Sequence, residues 1–179
     1  GERAFELSLD DFVIKSWATA LQRVPGANAA WAEDRILRFT SSDIGVVIAL
    51  DNGSVTPIIR NAQAKSLTAI SAEMRDLSAR ARAGKLEPAE YQGGASAISN
   101  LGMHGVREFA AIIVPPHATI LAVGASRRAA VEAADGSVKF ASVVTVTLSC
   151  DHRVLDGSLG AQLLAVFKTL LENPVTALI

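Results

Sequence analysis

Apolar residues recur three or four positions apart in three segments of the chain, which is the spacing of a helix with one buried face. The first segment lies over 12–24 and ends at Pro25 and Gly26. The second lies over 66–83, and the third lies over 158–171 and stops before Pro174. These patterns predict three amphipathic helices.

Between these helices, continuous apolar or β-branched runs predict strands. The predicted strands lie over 36–39, 44–50, 55–59, 95–99, 119–125 and 139–149. Asn52 and Gly53 separate two of these runs, and Asn-Gly is a strong signal for a hairpin. Because strands and helices alternate irregularly and a hairpin is present, the pattern predicts an α/β chain. We expect a mixed sheet covered by helices rather than a doubly wound parallel sheet.

Length and composition indicate one globular domain without an unusual charge. The chain has 179 residues and a formal net charge of −1, with no basic stripe, so we expect no nucleic-acid partner. Its apolar runs are too short to cross a bilayer, and no signal peptide opens the sequence, so we expect no membrane partner. A single cysteine, Cys150, excludes an internal disulfide and fits a reducing compartment.

A cluster of polar residues follows the predicted strand over 143–150. His152 lies where this strand meets the last helix, and imidazole is the side chain best suited to accept a proton near pH 7. From the residues alone, His152 is either structural or catalytic. Asp156 precedes the helix, where Asp is a favoured N-cap. Cys150 is either a nucleophile paired with His152 or a small core residue, and the spacing of these groups is not that of a metal site.

A second candidate lies in the Gly-rich stretch over 93–102, which is neither a P-loop nor a dinucleotide fingerprint. Ser99 either caps the end of the predicted strand or donates a hydrogen bond to a developing oxyanion. The residues alone give no reason to bring Ser99 near His152.

Several segments together resemble one family. Asp-His-Arg-x-x-Asp-Gly over 151–157 resembles the signature of the catalytic domain of 2-oxo acid dehydrogenase acyltransferases. The segments over 90–94, 98–103, 115–125 and 148–153 resemble the same family in the same order. The resemblance covers essentially all of 1–179 and is strongest to the branch that transfers acetyl groups in the pyruvate dehydrogenase complex.

The resemblance implies a fold, an assembly and a reaction. The fold is the chloramphenicol acetyltransferase-like two-layer sandwich, and the assembly is a trimer that can join into a core of about 24 or 60 subunits. The implied reaction moves an acetyl group between dihydrolipoamide and coenzyme A. His152 would be the base, Ser99 of a neighbouring chain would be the oxyanion donor, and Asp156 would support the local geometry. Coenzyme A, acetyl-CoA and dihydrolipoamide would be substrates, with no cofactor or metal bound in this domain.

The family also implies partners and a compartment. The lipoyl group would lie on a separate domain, and the decarboxylase and dihydrolipoamide dehydrogenase components would bind through domains outside this chain. The compartment would be the bacterial cytoplasm or the mitochondrial matrix. The family's N-terminal arm and first strand are expected to be missing from the domain over 1–179. The residues that contact coenzyme A are not identified.

The chain departs from the family pattern at three positions, and related functions remain as alternatives. Ala97, His104 and Val114 stand where the family usually has Thr, Phe and Asn. One alternative is a non-catalytic scaffold, although such relatives usually lack the histidine. Others are a succinyl or branched-chain acyltransferase, and an antibiotic acetyltransferase, which favours His-His in place of Asp151-His152.

Overall fold

The computed structural model describes residues 7–177. In this range the α-helices are α1 (Leu9–Arg23), α2 (Leu67–Arg82), α3 (Pro88–Tyr91) and α4 (Gly157–Glu172). The strands are β1 (Ala29–Ala32), β2 (Arg35–Arg38), β3 (Ile44–Val46), β4 (Ile48–Leu50), β5 (Gly53–Val55), β6 (Ile58–Ile59), β7 (Ser96–Asn100), β8 (Thr119–Val123), β9 (Arg127–Glu132), β10 (Val138–Val143) and β11 (Val146–Cys150). The three predicted amphipathic helices are confirmed as α1, α2 and α4.

The central sheet has five strands in the order β11-β8-β7-β3-β6. β3, β7 and β8 are parallel to one another, whereas β6 and β11 run antiparallel to their neighbours. The remaining described strands pair as three antiparallel hairpins, β1–β2, β4–β5 and β9–β10. The predicted α/β fold with a mixed sheet is therefore confirmed.

Helices α1 and α4 pack together and bury one face of the sheet. Helix α1 begins with a capping box, in which Ser8 Oγ accepts from Asp11 N at 3.3 Å and Asp11 Oδ2 accepts from Ser8 N at 2.8 Å. Between the helices, Trp17 meets Phe167 edge to face with a centroid distance of 5.5 Å. Both rings are fully buried, so the apolar spacing predicted from sequence is the spacing of the core.

A buried hydroxyl group connects the helix layer to the sheet. Trp17 Nε1 and Thr119 Oγ1 each donate to Ser96 Oγ at 2.7 Å. Ser96 therefore faces α1, and Ile98 lies in the same core. Because side chains alternate along a strand, Ala97 and Ser99 face the opposite side of the sheet.

Two predicted strands are wrong in extent. The run over 139–149 is divided between β10, whose partner is β9, and β11, which is the edge strand of the central sheet. The run over 44–50 is divided between β3 and β4. Each run changes sheets partway, and continuous hydrophobicity carries no signal for such a change. Strands β1 and β9 were not predicted. No helix within 7–177 combines the length and apolarity required to cross a membrane.

Candidate active site

His152 lies in a turn that joins β11 to α4. The turn is attached to the sheet because Asp151 N donates to Ala118 O at 2.8 Å. It is closed by Val154 N and Leu155 N, which donate to Asp151 O at 2.9 and 3.0 Å. His152 is exposed, while Leu155 is buried and anchors the far side of the turn. An exposed imidazole on a fixed backbone is suited to proton transfer with a ligand.

The residues on either side of His152 are joined by an ion pair. Arg153 Nε donates to Asp151 Oδ1 at 3.0 Å, and Arg153 Nη2 donates to Asp151 Oδ2 at 2.6 Å. The Arg153 backbone N–H also donates to Asp151 Oδ1 at 3.0 Å. These contacts, with the hydrogen bond from the Arg153 side chain the largest cause, hold the pKa of Asp151 below its usual range. Asp151 is therefore an anion at neutral pH.

A cleft of about 360 Å³ adjoins the turn. It is lined by Trp31, Ile113, Pro115, Pro116, His117 and Cys150, together with residues 151–153. The Arg153 guanidinium stands over the Trp31 ring, with 5.2 Å between Cζ and the ring centroid. Trp31 was missed in the sequence analysis, because it lies more than a hundred positions before the motif and no local pattern connects the two.

His117, a second histidine in this cleft, is buried. Its Nδ1 lies 3.0 Å from Val114 O. Burial lowers the pKa of His117, and the nearby carbonyls of Val114 and Gly93 only partly oppose that effect. The His117 imidazole is therefore neutral and forms part of the cleft wall.

Asp156 caps helix α4, since its Oδ1 accepts from Leu159 N at 2.8 Å. The capping interpretation of Asp156 is therefore confirmed. Cys150 is half-buried, and burial raises the pKa of its thiol. Its Sγ lies against Gly160 of α4, 3.3 Å from where a Cβ on that glycine would stand. A half-buried thiol with a raised pKa, packed against a helix, is poorly suited to act as a nucleophile.

Ser99 lies at the other end of the sheet from His152. It pairs with Ala122, which pairs with Thr147, whereas Cys150 pairs with Thr119 at the opposite end of the same strands. Thr147 and Cys150 are separated by about 10 Å at ~3.3 Å per residue, and His152 continues beyond Cys150. Two strand spacings add about 10 Å across the sheet. Ser99 and His152 of one chain are therefore too far apart to share a ligand atom.

The strand end that carries Ser99 is held by its neighbour, Asn100. Asn100 Oδ1 accepts from Gly102 N at 2.7 Å, and Asn100 Nδ2 donates to Asp10 Oδ1 at 2.5 Å. Ser99 itself is half-buried on the sheet face that lies away from the helices. In the described range, 7–177, no group of three His, Cys, Asp or Glu side chains is arranged to hold a metal ion.

The chain is similar to curated proteins along its whole length. It is 50% identical over 179 residues to the dihydrolipoyllysine-residue acetyltransferase component of the pyruvate dehydrogenase complex from Rhizobium meliloti, covering 100% of this chain and 40% of that protein. The component from Rickettsia bellii is 47% identical, covering 99% of this chain and 42% of that protein. The mitochondrial component from Neurospora crassa is 44% identical, covering 98% of this chain and 39% of that protein. The chain thus spans about two fifths of the length of these relatives.

Solved structures share the fold. The cubic core of the pyruvate dehydrogenase multienzyme complex matches with a TM-score of 0.92 and 28% identity, covering 98% of this chain and 73% of that chain. Dihydrolipoamide acetyltransferase from Azotobacter vinelandii matches with a TM-score of 0.92 and 29% identity, covering 98% of this chain and 72% of that chain. That structure was used to study the roles of a serine, a histidine and an asparagine, four residues after the histidine, in the catalytic mechanism. A chloramphenicol acetyltransferase matches with a TM-score of 0.61 and 15% identity, covering 92% of this chain and 78% of that chain. At this identity the match supports the fold alone.

The family assignment follows from the sequence profile as well as from these similarities. The profile of the family described as 2-oxoacid dehydrogenases acyltransferase (catalytic domain) matches residues 1–179. The resemblance noted in the sequence is thereby confirmed, and so is the chloramphenicol acetyltransferase-like fold. This chain belongs to the 2-oxoacid dehydrogenase acyltransferase family and matches its catalytic domain.

Proposed function

We propose that this chain transfers an acetyl group between coenzyme A and the dihydrolipoamide thiol of a lipoyl domain, as part of a pyruvate dehydrogenase complex. The names of the similar bacterial and mitochondrial proteins support this acyl group and this complex. The observation that carries the proposal is His152, an exposed imidazole on a hydrogen-bonded turn beside a cleft. The compartment would be the cytoplasm of a bacterium or the matrix of a mitochondrion.

His152 would act as the general base. A free thiol has a pKa of about 8.5, so only a few per cent is ionised at pH 7. His152 would take the thiol proton as the sulfur attacks the thioester carbonyl. The resulting oxyanion would accept a hydrogen bond from Ser99, and collapse of the intermediate would expel the second thiolate. That thiolate would then take the proton back from His152, so no covalent acyl-enzyme forms.

Ser99 would come from a neighbouring copy of the chain, because the strand register separates it from His152 within one copy. Self-association is also supported by exposed apolar side chains on the described surface, notably Met103, Ile112 and Phe140, which are 77%, 86% and 69% exposed. The similarity to a cubic core supports self-association into a larger particle, and trimers would be its building unit.

Asp156 would act by fixing the start of α4. The Azotobacter relative was studied for an asparagine at the same distance after a histidine. Asp and Asn are both good N-caps, so a capping role fits either residue. Asp156 would therefore hold the His152 turn rather than exchange a proton.

The proposal is tested by the rate of acetyl transfer from acetyl-CoA to dihydrolipoamide in the full-length protein. We expect His152→Ala to lower kcat by about 10²–10⁴-fold and Ser99→Ala by about 10²–10³-fold. Lys85→Ala is the control, since Lys85 is exposed just beyond the end of α2, and it should keep the wild-type rate. Retention of most activity by His152→Ala would exclude the proposed mechanism. Faster transfer from succinyl-CoA or isobutyryl-CoA would instead correct the acyl group.

A further inference from the structure

The Arg153 side chain has contacts on two sides that involve different parts of the chain. Its guanidinium forms the two-point ion pair with Asp151, the residue that precedes His152 in the sequence. Its cation also stands 5.2 Å from the centre of the Trp31 ring. The side chain of Arg153 is 59% exposed, so few other groups restrain it. Trp31 thus adds a side-chain contact between the His152 turn and strand β1, beside the backbone hydrogen bond from Asp151 N to Ala118 O.

Backbone and side-chain hydrogen bonds hold the strand that carries Trp31. Strand β1 pairs with β2, and Ala30 forms an isolated bridge with His117 in the wall of the cleft. Immediately before β1, Asn28 Nδ2 donates to Phe39 O at 2.9 Å and to Ser41 O at 2.8 Å. A ring on such a strand provides a surface for a cation, because the face of an indole attracts positive charge.

We propose that Trp31 is a positioning residue for the reaction, which orients His152 by fixing Arg153. This inference rests on the proposed function, because it assigns a partner to the same catalytic base. Hydrogen bonds fix the backbone of this turn, but the exposed His152 ring can still change its orientation. The side chains of its two neighbours limit that change while they are themselves fixed. The ion pair joins the two neighbouring side chains to each other, and Trp31 connects the Arg153 side chain to strand β1. A displacement of about 1 Å at a reacting group can cost 10²-fold in rate.

A different role for Trp31 gives a different kinetic result. If the ring only formed the wall of a substrate cleft, its loss would raise KM and leave kcat intact. If it only stabilised the fold, its loss would lower the melting temperature and the fraction of active protein, with no dependence on Arg153. Positioning through Arg153 instead lowers kcat, and the effect disappears when Arg153 is already absent.

The experiment is a double-mutant cycle in the full-length protein, with acetyl-CoA and dihydrolipoamide as substrates. We expect Trp31→Leu to lower kcat about tenfold with KM within about twofold, and Trp31→Phe, which keeps an aromatic face, to lose less. Trp31→Leu combined with Arg153→Met should be no slower than Arg153→Met alone. Arg35→Met is the matched control, because Arg35 is an exposed arginine of the neighbouring strand β2, and it should keep the wild-type rate.

Two results would overturn the inference: losses that multiply in the double variant, or a Trp31→Leu variant that changes only KM. Crystal structures of the wild type and Trp31→Leu give a readout that does not depend on activity. The inference requires the His152 ring to move in the variant, and an unchanged ring refutes it. If the wild type transfers no acetyl group and the ring still moves, the proposed function fails while the positioning contact stands.

Discussion

Two inactive variants of this chain should restore each other's activity. Ser99→Ala retains an intact His152, and His152→Ala retains an intact Ser99. One complete site can therefore form at the interface between a chain of each variant. The strand register separates Ser99 from His152 by more than about 10 Å along the sheet and about 10 Å across it. A single chain therefore cannot complete the proposed site, and rescue depends on contact between copies.

The magnitude follows from symmetry. In a cyclic trimer each site takes its histidine from one chain and its serine from the next. When the two variants are co-expressed in equal amounts, half of the chains offer His152 and half offer Ser99, so about a quarter of the sites are complete. Transfer from acetyl-CoA to dihydrolipoamide should recover to about a quarter of the wild-type rate, whereas each variant alone should lose at least about 10²-fold.

A second mixture provides the control. Wild type co-expressed with the double variant Ser99→Ala, His152→Ala should also retain about a quarter of the activity if the site spans two chains, but about half if it lies within one. Preformed particles of the two single variants, mixed without dissociation, should stay inactive. A site shared between two chains is excluded if the co-expressed single variants remain inactive while the second mixture gives half of the wild-type rate.

Two further predictions concern stability. Asp151→Asn should lower the free energy of unfolding at pH 7, because the depressed pKa of Asp151 favours folding above its unfolded value of about 3.9. This contribution is lost as the pH falls through the lower folded pKa. Urea unfolding curves of wild type and variant should therefore differ at pH 7, and the difference should shrink as the pH falls below the unfolded pKa; a difference that does not change with pH would contradict it. Gly124→Ala should destabilise the fold by about 3 kcal/mol in the same assay, because the new Cβ would stand 1.8 Å from Arg107 O. Gly157→Ala, at the start of α4 with open space around it, should change stability by about 0.5 kcal/mol or less, and equal effects of the two substitutions would argue against the packing described.

Local patterns predicted the helices well because each helix carries its own signal. α2 lies within the predicted 66–83, with Ser66 as its N-cap and Gly84 immediately after its C-cap. The hairpin around Asn52-Gly53 is present as β4–β5 for the same reason, since its turn residues determine it. In both cases the groups that decide the structure lie within a few positions of one another.

Contacts between distant segments could not be predicted in this way. β9 alternates exposed and half-buried residues and pairs only with β10 in a separate hairpin, so it lacks a hydrophobic run. The contact between Trp31 and Arg153 depends on where β1 lies relative to the end of the central sheet. The pairing of Ser99 with a histidine on another copy depends on the family resemblance, because no pattern within one chain indicates it.

The buried hydroxyl of Ser96 determines more than the attachment of β7 to α1. It accepts from both Trp17 and Thr119, so the residue at this point of the strand must face the helices. Three positions later, Ser99 must then face the other way. Deleting or inserting one residue between them would turn the Ser99 hydroxyl into the apolar core. This short stretch can therefore accept changes of side chain far more readily than changes of length.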